Sequence, residues 1–122
     1  MNHRKAGRIL SRPRRQRKAL LKTLLGSLIL HGRIETTLAK AKETKDHVDQ
    51  IINKAKRAKA DEKMTLSIIR DLRRRLPVMT VEKLSDADFL SRFDARACGY
   101  TRVTKLERRK GDGAEMAVIE FV

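Results

Sequence analysis

The chain has 122 residues, no Trp, a single Cys, and 30 Lys and Arg against 15 Asp and Glu, for a net charge of +15. That length accommodates one domain plus an arm or tail, no apolar run approaches the roughly 18 residues of a membrane span, and the lone Cys98 excludes a disulfide framework. Self-repulsion at this charge calls for a polyanion, with nucleic acid the first candidate and an anionic membrane surface the second.

The charge is concentrated at the front. Ten cations (Arg4, Lys5, Arg8, Arg12, Arg14, Arg15, Arg17, Lys18, Lys22 and Arg33) precede the first acid, Glu35. Residues 1–16 read as a basic arm and residues 17–122 as a single domain. Ile9 and Leu10 are too few to form a core, and Pro13 disfavours helix at Arg12. In isolation the arm is expected to be largely disordered. Ordering costs about 1–2 kcal/mol per residue in backbone entropy, which phosphate contacts can offset. A mitochondrial transit peptide is also Arg-rich and acid-poor, but this arm has only Ser11 as a hydroxyl residue and runs directly into a globular pattern.

Leu20, Leu21, Leu24, Leu25, Leu28 and Ile29 recur at helical spacing and predict a first helix over residues 14–31, ended by Gly32. Lys18 and Lys22 lie one turn apart on it and extend the arm's positive surface. Gly26 sits inside this helix, so the two glycines do not form a phosphate loop. Arg33-Ile34-Glu35-Thr36 is β-prone, and Thr36 or Thr37 is expected to cap a second helix over residues 38–58. Leu38, Ala41, Val48, Ile51, Ile52 and Ala55 mark its buried side, with Lys40, Lys42, Lys54, Lys56 and Lys59 opposite and His47 on the surface.

A third helix is predicted over residues 61–76, with Met64, Ile68, Ile69, Leu72 and Leu76 inward and Pro77 stopping it. Arg73-Arg74-Arg75 at its end suits both the helix dipole and a phosphate. Residues 78–84 show no decisive pattern, and Ser85 with Asp88 resembles a cap before a short helix holding Phe89, Leu90 and Phe93. The segments 100–106 and 114–122 read as a β-hairpin joined through Arg108-Arg109-Lys110-Gly111-Asp112-Gly113, whose tip carries three consecutive cations.

No constellation supports catalysis. His3, His31 and His47 lack metal-ligand spacing, and Cys98 would need His31 brought beside it to act as a nucleophile. A small nuclease would need a carboxylate or histidine cluster. A DNA-binding protein would favour a recognition helix or a dimer seam, and neither is evident.

Several segments, in order, carry a resemblance. They are His3-Arg4-Lys5-Ala6-Gly7-Arg8, then Ser27-Leu28-Ile29, then Arg33-Ile34-Glu35-Thr36-Thr37-Leu38-Ala39-Lys40-Ala41-Lys42-Glu43. Gly99-Tyr100-Thr101-Arg102-Val103 follows, and Arg109-Lys110-Gly111-Asp112 with Met116-Ala117-Val118-Ile119-Glu120 completes the set. Together they resemble the bacterial large-subunit ribosomal protein seventeen family over nearly the whole chain. Departures are Asn2 in place of a basic residue, Cys98 in place of a glycine, Glu115 in place of a proline, and a loosely matching stretch over residues 58–94.

The resemblance implies an α+β fold: three or four helices on a small three-stranded mixed sheet, with an extended basic N-terminal arm. It implies a structural, non-enzymatic role in the cytoplasmic ribosome, on 23S ribosomal RNA near the nascent-chain exit tunnel and beside neighbouring large-subunit ribosomal proteins. It implies no cofactor, metal, membrane or small-molecule substrate. Residue by residue, it places His3, Arg4, Lys5, Arg8, Thr36, Thr37, Lys40, Lys42, Tyr100, Thr101, Arg102 and Arg109 toward RNA. Charge and position add Arg12, Arg14, Arg15, Arg17, Lys18, Lys22, Arg33, Arg108 and Lys110.

Overall fold

A computed structural model describes residues 3–122; Met1 and Asn2, and with Asn2 the departure noted there, lie outside the described residues. Helix α1 (Arg14–His31) starts directly after Pro13, whose fixed φ of −58° suits a helix entry. It stops at Gly32, which takes a left-handed φ of 77° and donates its N–H to the Leu28 carbonyl. The chain then enters strand β1 (Arg33–Thr37) and passes without a loop into α2 (Leu38–Ala60). Thr37 holds the cap position of α2, but its side chain makes no capping bond; the first helical N–H, of Leu38, donates instead to the Glu115 carbonyl at 2.9 Å.

Helix α3 (Glu62–Arg75) packs on α2 through Ile68 and Leu72 and is capped by Asp61, whose side chain accepts from the Lys63 N–H. Met64, expected inward, is 40% exposed, because the buried stripe of α3 begins only at Ile68. Pro77 ends α3 and opens α4 (Val78–Leu84) by accepting from the N–H groups of Thr80 and Val81. Helix α5 (Ala87–Ser91) follows. Its cap is Asp86 rather than Ser85: the Asp86 carboxylate accepts from the Asp88 N–H, while the Ser85 hydroxyl closes α4 by donating to the Val81 carbonyl. Among the described residues the helices number five where three or four were expected, because the segment after Pro77 adds two short ones.

Strands β2 (Thr101–Lys105) and β3 (Met116–Phe121) form the expected hairpin. Strand β3 also pairs with β1, Arg33 lying opposite Glu120 and Thr37 opposite Met116, so the order is β1-β3-β2. Both pairings are antiparallel, which corrects the mixed sheet that the resemblance implied. Strands β1 and β2 do run in the same direction, but β3 lies between them and opposes both.

The inner side of the sheet presents Ile34, Val103, Ala117, Ile119 and Phe121 to one core shared with the helices. Helix α2 is the hub, touching α1, α3, α5 and all three strands. Aromatic side chains close the core at one end, where Phe93 meets Phe89 and Tyr100 edge-on at centroid distances of 5.3 and 5.4 Å.

Candidate nucleic-acid interface

Residues 3–13 do not form the extended arm that the resemblance implied. Arg4, Leu10 and Ser11 take positive φ, and the Arg12 N–H donates to the Ile9 carbonyl at 3.3 Å, so the chain turns before α1. Its anchor is Glu43 of α2, a carboxylate only 6% exposed. Glu43 accepts from the Arg8 backbone N–H at 3.2 Å and from the Arg8 guanidinium at 3.3 Å, and it also meets His47 Nε2 at 3.4 Å. Burial alone would push this carboxyl up, but the hydrogen bonds from Arg8 and His47 outweigh burial and hold it below the ordinary value. Gly7 makes the approach possible: at φ +105° it tolerates a conformation that side chains rarely adopt, and a Cβ there would lie 3.4 Å from Glu43 Oε1.

Anchored this way, the arm lies over α1. Arg4, Lys5 and Arg8 share a hollow of about 560 Å³ with Arg14, Arg17 and Lys18. His3 is exposed beside them, Arg15 and Lys22 are exposed along α1, and the half-buried Arg12 donates to the Leu10 carbonyl at 2.8 Å. The first turn of α1 carries no acid, although a helix start favours negative charge. This end of the molecule therefore gathers six cations around one hollow that a single carboxylate, Glu43, lines.

A second hollow brings Arg8 and Lys42 together with Thr37 and with Glu115 at the hairpin base. Thr36 and Lys40 are half-buried nearby in sequence. Arg33 and Arg102 lie on the outer side of the sheet, where both oppose Glu120 in register. The Arg102 guanidinium reaches Glu120 at 2.8 Å and, aided by Arg33, holds that carboxyl below its usual range. At the hairpin tip Arg108 faces Glu115 at 3.5 Å, Arg109 forks onto Asp112 at 2.6 and 3.1 Å, and Lys110 is exposed.

Two expected contacts are corrected. Tyr100 is fully buried and Thr101 is 4% exposed, so neither side chain is presented at the surface. The tyrosine hydroxyl is satisfied internally by Asn53, the Arg96 carbonyl and Lys56. Lys56 is likewise no solvated helix cation: it donates to the carbonyls of Phe93 and Arg96 and lies over the Tyr100 ring. Among the described residues no group of three or more His, Cys, Asp or Glu is placed to hold a metal, and no helix is long and apolar enough to cross a membrane.

The sequence model of the family described as ribosomal protein L17 matches residues 20–122. The chain belongs to that family. Large ribosomal subunit protein bL17 of Thermus thermophilus is 46% identical over 123 residues, an alignment covering all of this chain and 99% of the relative. The bL17 protein of Gemmatimonas aurantiaca is 46% identical over 127 residues, covering all of this chain and 98% of its own length. That of Rubrobacter xylanophilus is 42% identical over 123 residues, covering all of this chain and 96% of its own length.

Within this L17-family chain, the residue that sequence reasoning passed over is Glu43. Its signal was present: an acid and a histidine at i and i+4 on α2, beside the buried Ala41 and Thr44. The Arg73-Arg74-Arg75 triplet suits a helix dipole or a phosphate, but the cleft that Arg74 and Arg75 border is visible only in the fold.

Proposed function

We propose that this chain is a structural constituent of the large ribosomal subunit, not an enzyme, and that it acts in the cytoplasmic ribosome by binding 23S ribosomal RNA near the nascent-chain exit tunnel. Neighbouring large-subunit ribosomal proteins are its other partners. Membership of the L17 family supports the subunit. One geometric observation supports the RNA surface: an acid-free run of cations is folded back over an acid-free helix start and held there by Glu43.

Residues 1–16 form the RNA-binding arm in this reading, and residues 17–122 form the body that positions it. The RNA-facing set is His3, Arg4, Lys5, Arg8, Arg12, Arg14, Arg15, Arg17, Lys18 and Lys22, joined by Arg33, Thr36, Thr37, Lys40, Lys42, Arg102 and the hairpin-tip cations Arg108, Arg109 and Lys110. Lys and Arg neutralise phosphates from several RNA segments and fix their relative positions. Phosphate contacts carry no sequence information, so selectivity comes from RNA shape and exposed loops.

Two measurements test the reading. The chain should sediment with purified large subunits through high-salt washes. Its affinity for a large-subunit RNA fragment should fall with salt at a log–log slope of about −4 to −9, given roughly six to ten neutralised phosphates at about 0.7–0.9 each. A flat salt response, or absence from washed subunits, overturns it.

A further inference from the structure

Lys18, Leu21 and His47 line two hollows at once. The arm-side hollow continues past them into a groove of about 620 Å³ between α1, α2 and α3. The floor of this groove is apolar, built from Leu21 with the buried Leu25 and Ile51. Its rim is cationic: Lys18 and Lys22 come from α1, and Arg74 and Arg75 from the last turn of α3. The one carboxylate at the rim, Asp71, is already engaged by Lys54 and by Arg75 at 3.6 Å.

We propose that this groove is a nucleotide-binding cleft, in which an unstacked base of a single-stranded RNA segment rests on the Leu21, Leu25 and Ile51 floor while Arg74 and Arg75 hold the adjoining phosphates. The inference rests on the RNA-binding reading above and extends it from Lys18 and Lys22, which belong to that set, to Arg74, Arg75 and the apolar floor, which do not. Charge complementarity selects the occupant. An apolar peptide side chain would fit the floor but gain nothing from four rim cations. A nucleotide offers both an apolar face and an anion, and RNA is read at loops whose bases are splayed out. The volume lies within the roughly 300–1,000 Å³ range of small-ligand sites. The α3 dipole favours cations at its end, but it gives no reason for two of them to border an apolar cleft that faces Lys18 and Lys22. The open end toward the arm lets one strand run from the arm-side cations into the cleft without leaving positive surface. Gln50 and His47, which also line it, supply an amide and an imidazole to a base edge.

The test compares two full-length double variants of equal charge change on a large-subunit RNA fragment. R74A/R75A removes the rim cations, and K59A/K63A removes two exposed cations outside the groove. The rim variant should make the salt slope shallower by about 1.4–1.8, two phosphate contacts' worth, and the control should leave it unchanged. If the two variants behave alike while the parent binds steeply with salt, the cleft is overturned and the RNA-binding reading stands. If the parent itself shows no salt dependence, both fall. Ultraviolet cross-linking of the unmutated chain in intact large subunits gives an independent readout. A nucleotide attached within residues 47–51 or 71–75 supports the cleft. Attachment confined to the arm and hairpin, or cross-links from Lys18 and Lys22 to a neighbouring protein's acidic loop, overturns it.

Discussion

Glu43 accepts from both the backbone N–H and the guanidinium of Arg8, 35 positions earlier in the chain. A nearly buried carboxylate thus holds the root of a cationic arm against α2 before any RNA arrives. The arrangement lowers the ordering entropy that binding would otherwise have to overcome, because the residues around Arg8 already have a fixed path.

Replacing this carboxylate should therefore loosen the arm. Glu43→Gln keeps the shape but removes the charge that assists two hydrogen bonds. Because the Arg8 side chain is 43% exposed, its share of the pair is discounted for solvent screening, leaving a total loss of about 1 kcal/mol. Amide hydrogen exchange over residues 3–12 should speed up while α2 stays protected. The same contact is acid-labile. Its folded-state pKa is depressed below the ordinary 4.5, so its contribution is complete above that value and is lost as pH falls through the depressed one. An arm exchanging equally fast in parent and variant at neutral pH would refute the latch.

Lys56 serves as an internal strut. Its ammonium donates to the Phe93 and Arg96 carbonyls and, at 2.9 Å, to the Tyr100 hydroxyl, tying α2 to the turn before β2. Lys56→Met retains the aliphatic stem and leaves those oxygens without their charged donor. We expect a loss of about 2 kcal/mol, read as a lower urea midpoint at unchanged slope. A change within about 0.5 kcal/mol would place Lys56 among ordinary surface lysines.

Gly26 is required by contact rather than by conformation. A Cβ there would lie 2.8 Å from Pro77 Cγ and 3.2 Å from Thr80 Oγ1, where α1 crosses the start of α4. Gly26→Ala gains about 1 kcal/mol of helix propensity. It also overpacks a site whose nearest neighbour is a stiff proline ring, at a cost of about 1–3 kcal/mol. The clash should win by about 1 kcal/mol, visible as a lower melting temperature. A higher one would show that α4 shifts away freely.

The legible parts of this molecule are those set by local chemistry. Pro13 and Gly32 bracket α1 to the residue, and Gly111 with Gly113 marks the hairpin connection. What escaped sequence reasoning depends on distant partners. Strand β3 lies between β1 and β2 because residues 33–37 pair with residues 116–120, a pairing across most of the chain. Helix α4 is seven residues long, too short for a helical period to declare itself. The resemblance placed Tyr100 toward RNA, and its burial was not legible because the groups that satisfy its hydroxyl, Asn53 and Lys56, belong to another element. Of the interface, the concentration of cations was plain from order alone; the Glu43 anchor and the cleft beside Arg74 required the fold.

The three hairpin-tip cations divide into two roles. Arg109 forks onto Asp112, which also accepts from the Ala114 N–H, and the guanidinium beside it lowers the Asp112 carboxyl to about 2. Arg109 thus shapes the turn. Arg108 and Lys110 flank it with exposed side chains directed by that turn. Arg109→Ala should return the Asp112 titration, followed by carboxyl-carbon NMR, toward the ordinary 3.8. The local ordering that the pair provides at neutral pH is lost in the variant with the guanidinium, whereas in the parent it persists until pH approaches 2. R108A/K110A should leave the Asp112 titration in place and make the RNA salt slope shallower by about 1.4–1.8. Asp112 titrating alike with and without the Arg109 guanidinium would remove the distinction between the turn-shaping arginine and its two neighbours.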